Sequence, residues 1–106
     1  RCPAVPIFMD SPLAAKVTDV YRENSSFLRE DIRNRLTSGD DPFSFPSLQV
    51  TIHDTESQVI EHTKSPKVII AGAGMSHGGR IRRHEKTFLP DKNTTLLLVG
   101  YQVAGS

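Results

Sequence analysis

Tryptophan is absent from the 106 residues, cysteine occurs once, and neither sign of charge dominates. A lone cysteine, Cys2, excludes an internal disulfide and suits a reducing compartment, so the expected localisation is cytoplasmic. No apolar run approaches the roughly 20 residues that a membrane helix needs. No signal-peptide pattern is visible, and no membrane partner is expected. A net charge of +1, from 13 Lys/Arg against 12 Asp/Glu, excludes a binder that works through its overall charge. No Gly-Lys-Ser/Thr run exists, which excludes a Walker A loop. The four histidines, His53, His62, His77 and His84, form no H-x-H or H-x-x-x-H pair, so no metal site is expected within the chain. No Ser/His/Asp or Cys/His constellation stands out, and no residue is assigned a catalytic role.

The length suits one small domain. The chain begins with Arg1 rather than Met and stops at Gly105-Ser106, just after an apolar run. Residues 1–106 are therefore expected to be one domain of a longer protein.

Strand and helix signals alternate throughout. Val5 to Asp10 reads as a short strand, with Pro6 tolerable at its start. Ser11-Pro12 predicts a helix start, a cap followed by a proline at the first helical position. Leu13, Val17, Val20 and Tyr21 then recur at helical spacing. Leu28, Ile32 and Leu36 form a second stripe that ends at Ser38-Gly39. The loop 40–47 sets Pro42 and Pro46 around Phe43 and Phe45, which predicts a packed loop. Leu48 to Ile52 alternates as a strand. Asp54 or Thr55 is expected to cap a helix running to about Thr63. A strand at Val68–Ala71, a helix to about Leu89 and a strand over Thr94–Gly100 follow. The continuous apolar runs at 68–71 and 96–99 predict strands covered on both faces. The fold class is α/β, a mostly parallel sheet flanked by helices.

The most informative stretch is the turn Gly72-Ala73-Gly74-Met75-Ser76-His77-Gly78-Gly79 between a strand and a helix. Ligands of open α/β sheets bind at the carboxyl ends of strands. Glycines let the backbone approach a ligand closely, and a helix start offers unpaired N–H groups at the positive end of its dipole. From His77 to Lys92 there are five Lys/Arg (Arg80, Arg82, Arg83, Lys86, Lys92) against Glu85 and Asp91. Together these features point to an anion, most simply a phosphate. A tight turn alone also explains the glycines. A dinucleotide fingerprint fails in detail: its third glycine falls on His77, and Tyr101-Gln102 stand where the ribose-binding acid is expected.

Other candidates have two readings each. Asp10 and Ser11 sit at a strand end where carboxylates often serve chemistry, and helix capping explains them as well. Tyr101 and Gln102 can stack on or hydrogen-bond a base, or fill a core edge. His84 shares a face with Ile81 and Phe88 and reads as packed or hydrogen-bonded. His62 reads as solvated.

Three blocks in order carry a family likeness: Pro6-Ile7-Phe8-Met9-Asp10-Ser11-Pro12-Leu13-Ala14, then Ile69 to Met75 with Gly78-Gly79-Arg80-Ile81, then Asp91-Lys92-Asn93 with Val99 to Ser106. The chain resembles the β-CASP region of metallo-β-lactamase-fold nucleases. It is most similar to the RNA-processing branch that includes the cleavage and polyadenylation factor endonuclease and its bacterial and archaeal relatives. The likeness is weakest between Ser25 and Lys64. It implies a Rossmann-like cap inserted into a metallo-β-lactamase domain of the same chain, with two zinc ions in the cleft between them. The family's ligand motifs, H-x-H-x-D-H among them, are not in these residues, so neither cofactor nor metal ligand is expected here. The implied partner is single-stranded RNA. Gly72, Ala73, Gly74, Met75, Ser76, Gly78, Gly79 and Arg80 would form a substrate wall, with Asp10 and Ser11 nearby. Arg82, Arg83 and Lys86 would track the backbone. Ala73 stands where many relatives have serine, and Arg83-His84-Glu85 where His-His-Leu is common. The expected function is the RNA-binding cap of a zinc-dependent ribonuclease, inactive as an isolated piece. A non-catalytic scaffold module and a dinucleotide-binding unit are the alternatives.

Overall fold

The computed structural model describes residues 4–105; Cys2 and Ser106 lie outside the described residues. Strand β1 (Ile7–Asp10) leads into helix α1 (Pro12–Glu23), a 3-10 turn (Ser25–Phe27) and helix α2 (Glu30–Thr37). Strand β2 (Leu48–Val50), helix α3 (Asp54–His62), strand β3 (Val68–Ala71) and helix α4 (Ile81–Phe88) follow. The three strands form a parallel sheet in the order β2-β1-β3. Among the described residues, four helices about a parallel sheet make this an α/β fold, as the alternating sequence signals predict.

The order explains which helix covers which face. From β1 to β2 the chain steps one way across the sheet, and from β2 to β3 it steps back the other way. Right-handed crossovers in opposite directions put their helices on opposite faces. Successive residues of β1 likewise point to opposite faces. Asp10 is buried against Ser57 of α3 and His84 of α4, and Phe8, on the same face of β1, is buried as well, as is Ile60 of α3. Met9, on the other face, lines a shallow depression with Val50 and with Ala15, Thr18 and Arg22 of α1.

Local chemistry sets the boundaries. Ser11 Oγ accepts from the Ala14 amide at 3.2 Å, and Pro12 opens α1. The predicted packed loop is confirmed by Phe43, which stacks on Tyr21 at 6.1 Å while its carbonyl accepts from Arg22. Three expectations need correction. The cap of α3 is His53 rather than Asp54 or Thr55, because the Glu56 carboxylate reaches back to the amides of Ile52 and His53. Strand β3 is covered on one face only: Val68 and Ile70 are about half exposed. The predicted strand at Thr94–Gly100 is not formed. The run pairs with no strand among the described residues, and Leu97 and Val99 are exposed. Apolar content signals a need for cover, whereas a strand also needs a ladder partner.

Among the described residues, the buried apolar side chains are Phe8 and Ile60, against four buried polar ones: Asp10, Thr51, Ser57 and His84. The interior is thus organised around a charge.

Candidate functional site

Asp10 ends β1 at the carboxyl rim of the sheet and is fully buried. Thr51 Oγ1 and Arg80 Nη1 each donate to its Oδ1 at 2.6 Å. Ser57 Oγ donates to Oδ2 at 2.6 Å, and His84 Nε2 lies 2.7 Å from the same oxygen. Facing a carboxylate, Nε2 carries the proton and donates. The His84 ring stacks on Phe88, and its Nδ1 has no partner among the described residues.

Burial alone would raise the Asp10 pKa. Hydrogen bonds from Ser57, Thr51, His84 and Arg80 outweigh it and hold the carboxyl at about 2, against an ordinary 3.8. A carboxylate depressed in the folded state contributes stability that is complete above the unfolded value. That stability is lost as pH falls through the folded one. The shift corresponds to about 2 kcal/mol, lost between about pH 4 and pH 2. A carbon-13 NMR titration should put the Asp10 carboxyl midpoint near 2; a midpoint at or above 3.8 would contradict the geometry.

Arg80 is the second half of this lock. Nη1 also donates to the Thr51 carbonyl at 3.0 Å. Nη2 donates to the Ile52 carbonyl at 2.7 Å and meets the Asp54 carboxylate at 2.9 Å. One guanidinium therefore joins the rim of β1, the chain leaving β2 and the first turn of α3. Strand β2 stops at Val50 rather than at the predicted Ile52, and the next two carbonyls are those taken by Arg80. The Arg80 side chain is 18% exposed, so most of its fork is engaged inside the protein.

The glycine-rich turn ends at this residue and is closed by backbone bonds. The Gly72 carbonyl accepts from the Ile81 amide at 2.9 Å, and the Gly78 carbonyl accepts from the Ala73 amide at 3.3 Å. Ser76 adopts φ 55 and donates from its hydroxyl to Glu85 at 2.5 Å. Gly79 has φ +73, and a Cβ there would fall 2.6 Å from the Gly72 oxygen and 2.9 Å from the Ala73 nitrogen. By contrast, a Cβ at Gly72, Gly74 or Gly78 would meet nothing within 4 Å. Ala73, Gly74 and Gly79 are exposed, and Met75 and Gly78 half-buried. Among the described residues, the amides of Gly74, Met75, Gly78 and Gly79 donate to no protein acceptor. Unengaged amides on an open turn are free to meet solvent or a ligand.

Beyond the turn, Gly78, Gly79, Arg82, Arg83, Lys86 and Glu61 line an open groove of about 670 Å³ between α3 and α4. Arg83 is paired with Glu61 at 2.6 Å. Arg82 and Lys86 are exposed one turn apart on α4 and form no ion pair among the described residues.

The structure thus separates the candidates into two groups. Asp10, Ser11 and Arg80 are engaged in the scaffold. The turn from Gly72 to Gly79 and the outer face of α4, with Arg83, form an open surface. Sequence reasoning missed Thr51 and Ser57 as partners of Asp10, because small hydroxyls 41 and 47 residues away carry no pairing signal. It also left out Glu61. Asp10 and His84 are the titratable pair at the centre, both engaged, and among the described residues no group of three His, Cys, Asp or Glu side chains is arranged to hold a metal. These residues do not fit a zinc site.

The family model of the β-Casp domain matches residues 1–106. The chain is 36% identical over 105 residues to ribonuclease TTHA0252 of Thermus thermophilus, covering 99% of this chain and 24% of that protein. It is 30% identical over 106 residues to transcription termination factor FttA of Methanosarcina mazei, covering 98% of this chain and 16% of that one. Identity to endoribonuclease YSH1 of Mycosarcoma maydis is 31% over 103 residues, or 97% and 11% of the two lengths. The chain spans a quarter or less of the length of these relatives. No helix among the described residues is long and apolar enough to cross a membrane. By the extent of the match and by the relatives' identity along nearly its whole length, the chain belongs to the β-Casp domain family.

Proposed function

We propose that this domain is the RNA-binding cap of a metallo-β-lactamase-fold ribonuclease, with single-stranded RNA as its partner and catalysis carried by zinc ligands outside these residues. The carrying observation is the open glycine-rich turn, with unengaged amides at the head of a helix whose exposed face bears Arg82 and Lys86. Relatives named as a ribonuclease and an endoribonuclease support the substrate class. In this reading Gly72, Ala73, Gly74, Met75, Ser76, Gly78 and Gly79 form the wall that backbone oxygens approach. Arg82 and Lys86 neutralise successive phosphates, and Arg83 joins them by leaving Glu61. Asp10, Ser11 and Arg80 act from behind, by fixing the turn's position. The setting is the cytoplasm, and the metallo-β-lactamase domain of the same protein forms the opposite wall.

The double variant R82E/K86E of the full-length protein tests this reading. Taking two cations away from the phosphates of a single strand should lower the slope of log K against log salt by about 1.4. Fluorescence anisotropy with a labelled oligouridine should show affinity about tenfold weaker or worse. Unchanged affinity and slope would overturn the reading and favour a scaffold module. That alternative is supported by the exposed apolar stripe Leu13, Val17 and Val20 on α1.

A further inference from the structure

The segment after α4 passes close to the glycine-rich turn. Gln102 Nε2 donates to the Gly74 carbonyl at 2.9 Å and to the Gly100 carbonyl at 3.1 Å. One side-chain amide therefore fastens residues 100–102 to the turn. Tyr101, between these anchors, is 81% exposed. This aromatic ring is left in solvent next in sequence to the residue bonded to a turn with unengaged amides. Aromatic platforms next to a phosphate track are how proteins hold unpaired bases, because every base offers a π-face.

We propose that Tyr101 is a base-stacking residue that receives one unpaired nucleobase of the strand whose phosphates meet the turn. The inference rests on the RNA-binding reading above and sharpens it: the strand must be unstacked at this point, so a duplex end is excluded from the site. Three observations converge. The ring is open to solvent, and Gln102 holds its backbone against Gly74. Gly74 in turn belongs to the stretch whose free amides lead into the Arg82–Lys86 face. Arg80 is already bonded to the buried Asp10, so the exposed ring of Tyr101 is the group that offers a base a face to stack on. Sequence preference is expected to be weak, since a ring face does not read hydrogen-bonding edges.

The test uses the full-length protein with an oligouridine and with an abasic oligonucleotide of the same length. Oligouridine affinity should fall about tenfold in Tyr101→Ala, within the range for loss of one stacked base. In Tyr101→Phe it should stay within about twofold. The abasic strand should bind more weakly and be indifferent to both variants. An oligonucleotide carrying 5-iodouridine should photocrosslink to the peptide containing Tyr101. Retained affinity in Tyr101→Ala, with crosslinks mapping elsewhere, would overturn this inference and leave RNA binding intact. If neither strand binds the wild-type protein, the RNA reading falls, and Tyr101 with it. Loss of affinity for the abasic strand as well would show that the residue shapes the turn rather than holding a base.

Discussion

Replacing Asp10 by alanine is expected to destabilise the domain by about 3–5 kcal/mol, the range for removing one partner of a buried ion pair. Four donors converge on this carboxylate, and those of Thr51, Ser57 and His84 have no second acceptor among the described residues. The substitution leaves two hydroxyls and an imidazole N–H without a partner, each at a desolvation cost. Arg80 keeps only the exposed carboxylate of Asp54 to balance its charge. A small domain has total stability of only about 5–15 kcal/mol, and this interior holds few apolar side chains to compensate. Asp10→Asn separates charge from shape. It keeps the volume but turns an N–H₂ toward donors on one side, so it should lose nearly as much as the alanine. Urea denaturation followed by circular dichroism measures both; a loss under about 1 kcal/mol for Asp10→Ala would mean that the network is incidental.

Gly79→Ala carries the second large effect. The residue sits at φ +73, where a side chain costs about 1–2 kcal/mol. The added methyl would press on the Gly72 and Ala73 backbone, which has no flexible end to swing away. Overpacking of this kind adds about 1–3 kcal/mol. Because the obstructed atoms are the turn's own, relief requires the turn to open. If the turn holds RNA as proposed, loss of RNA affinity should therefore accompany the drop in melting temperature. Gly74→Ala is the control: its Cβ meets nothing within 4 Å, so stability should be nearly unchanged. Equal stability of the two variants would show that the turn is looser than described.

Much of this fold was legible because its signals are local. Ser11-Pro12 announced α1, the stripe Leu28, Ile32 and Leu36 announced α2, and the apolar run into Gly72 announced β3 and the turn. The site was legible as far as its backbone: the glycines and the basic face of α4 are contiguous in the chain. What escaped was long-range. Nothing near Asp10 says that Thr51, Ser57, Arg80 and His84 will surround it, so a carboxylate at a strand rim read first as part of a helix cap and second as a group for chemistry. Arg80 looked free for phosphate because its acceptors include the carbonyls of Thr51 and Ile52, which belong to the backbone and leave no trace in side-chain identity. The run at 96–99 misled for a different reason, since hydrophobicity does not specify a neighbour.

The bond between Asp10 and Arg80 spans 70 positions of chain and closes beneath the surface. Neither residue can drift alone: an apolar replacement at one abandons a charge at the other, while replacing both by apolar groups of matching volume is tolerable. The two positions are therefore expected to be kept or exchanged as a couple among relatives.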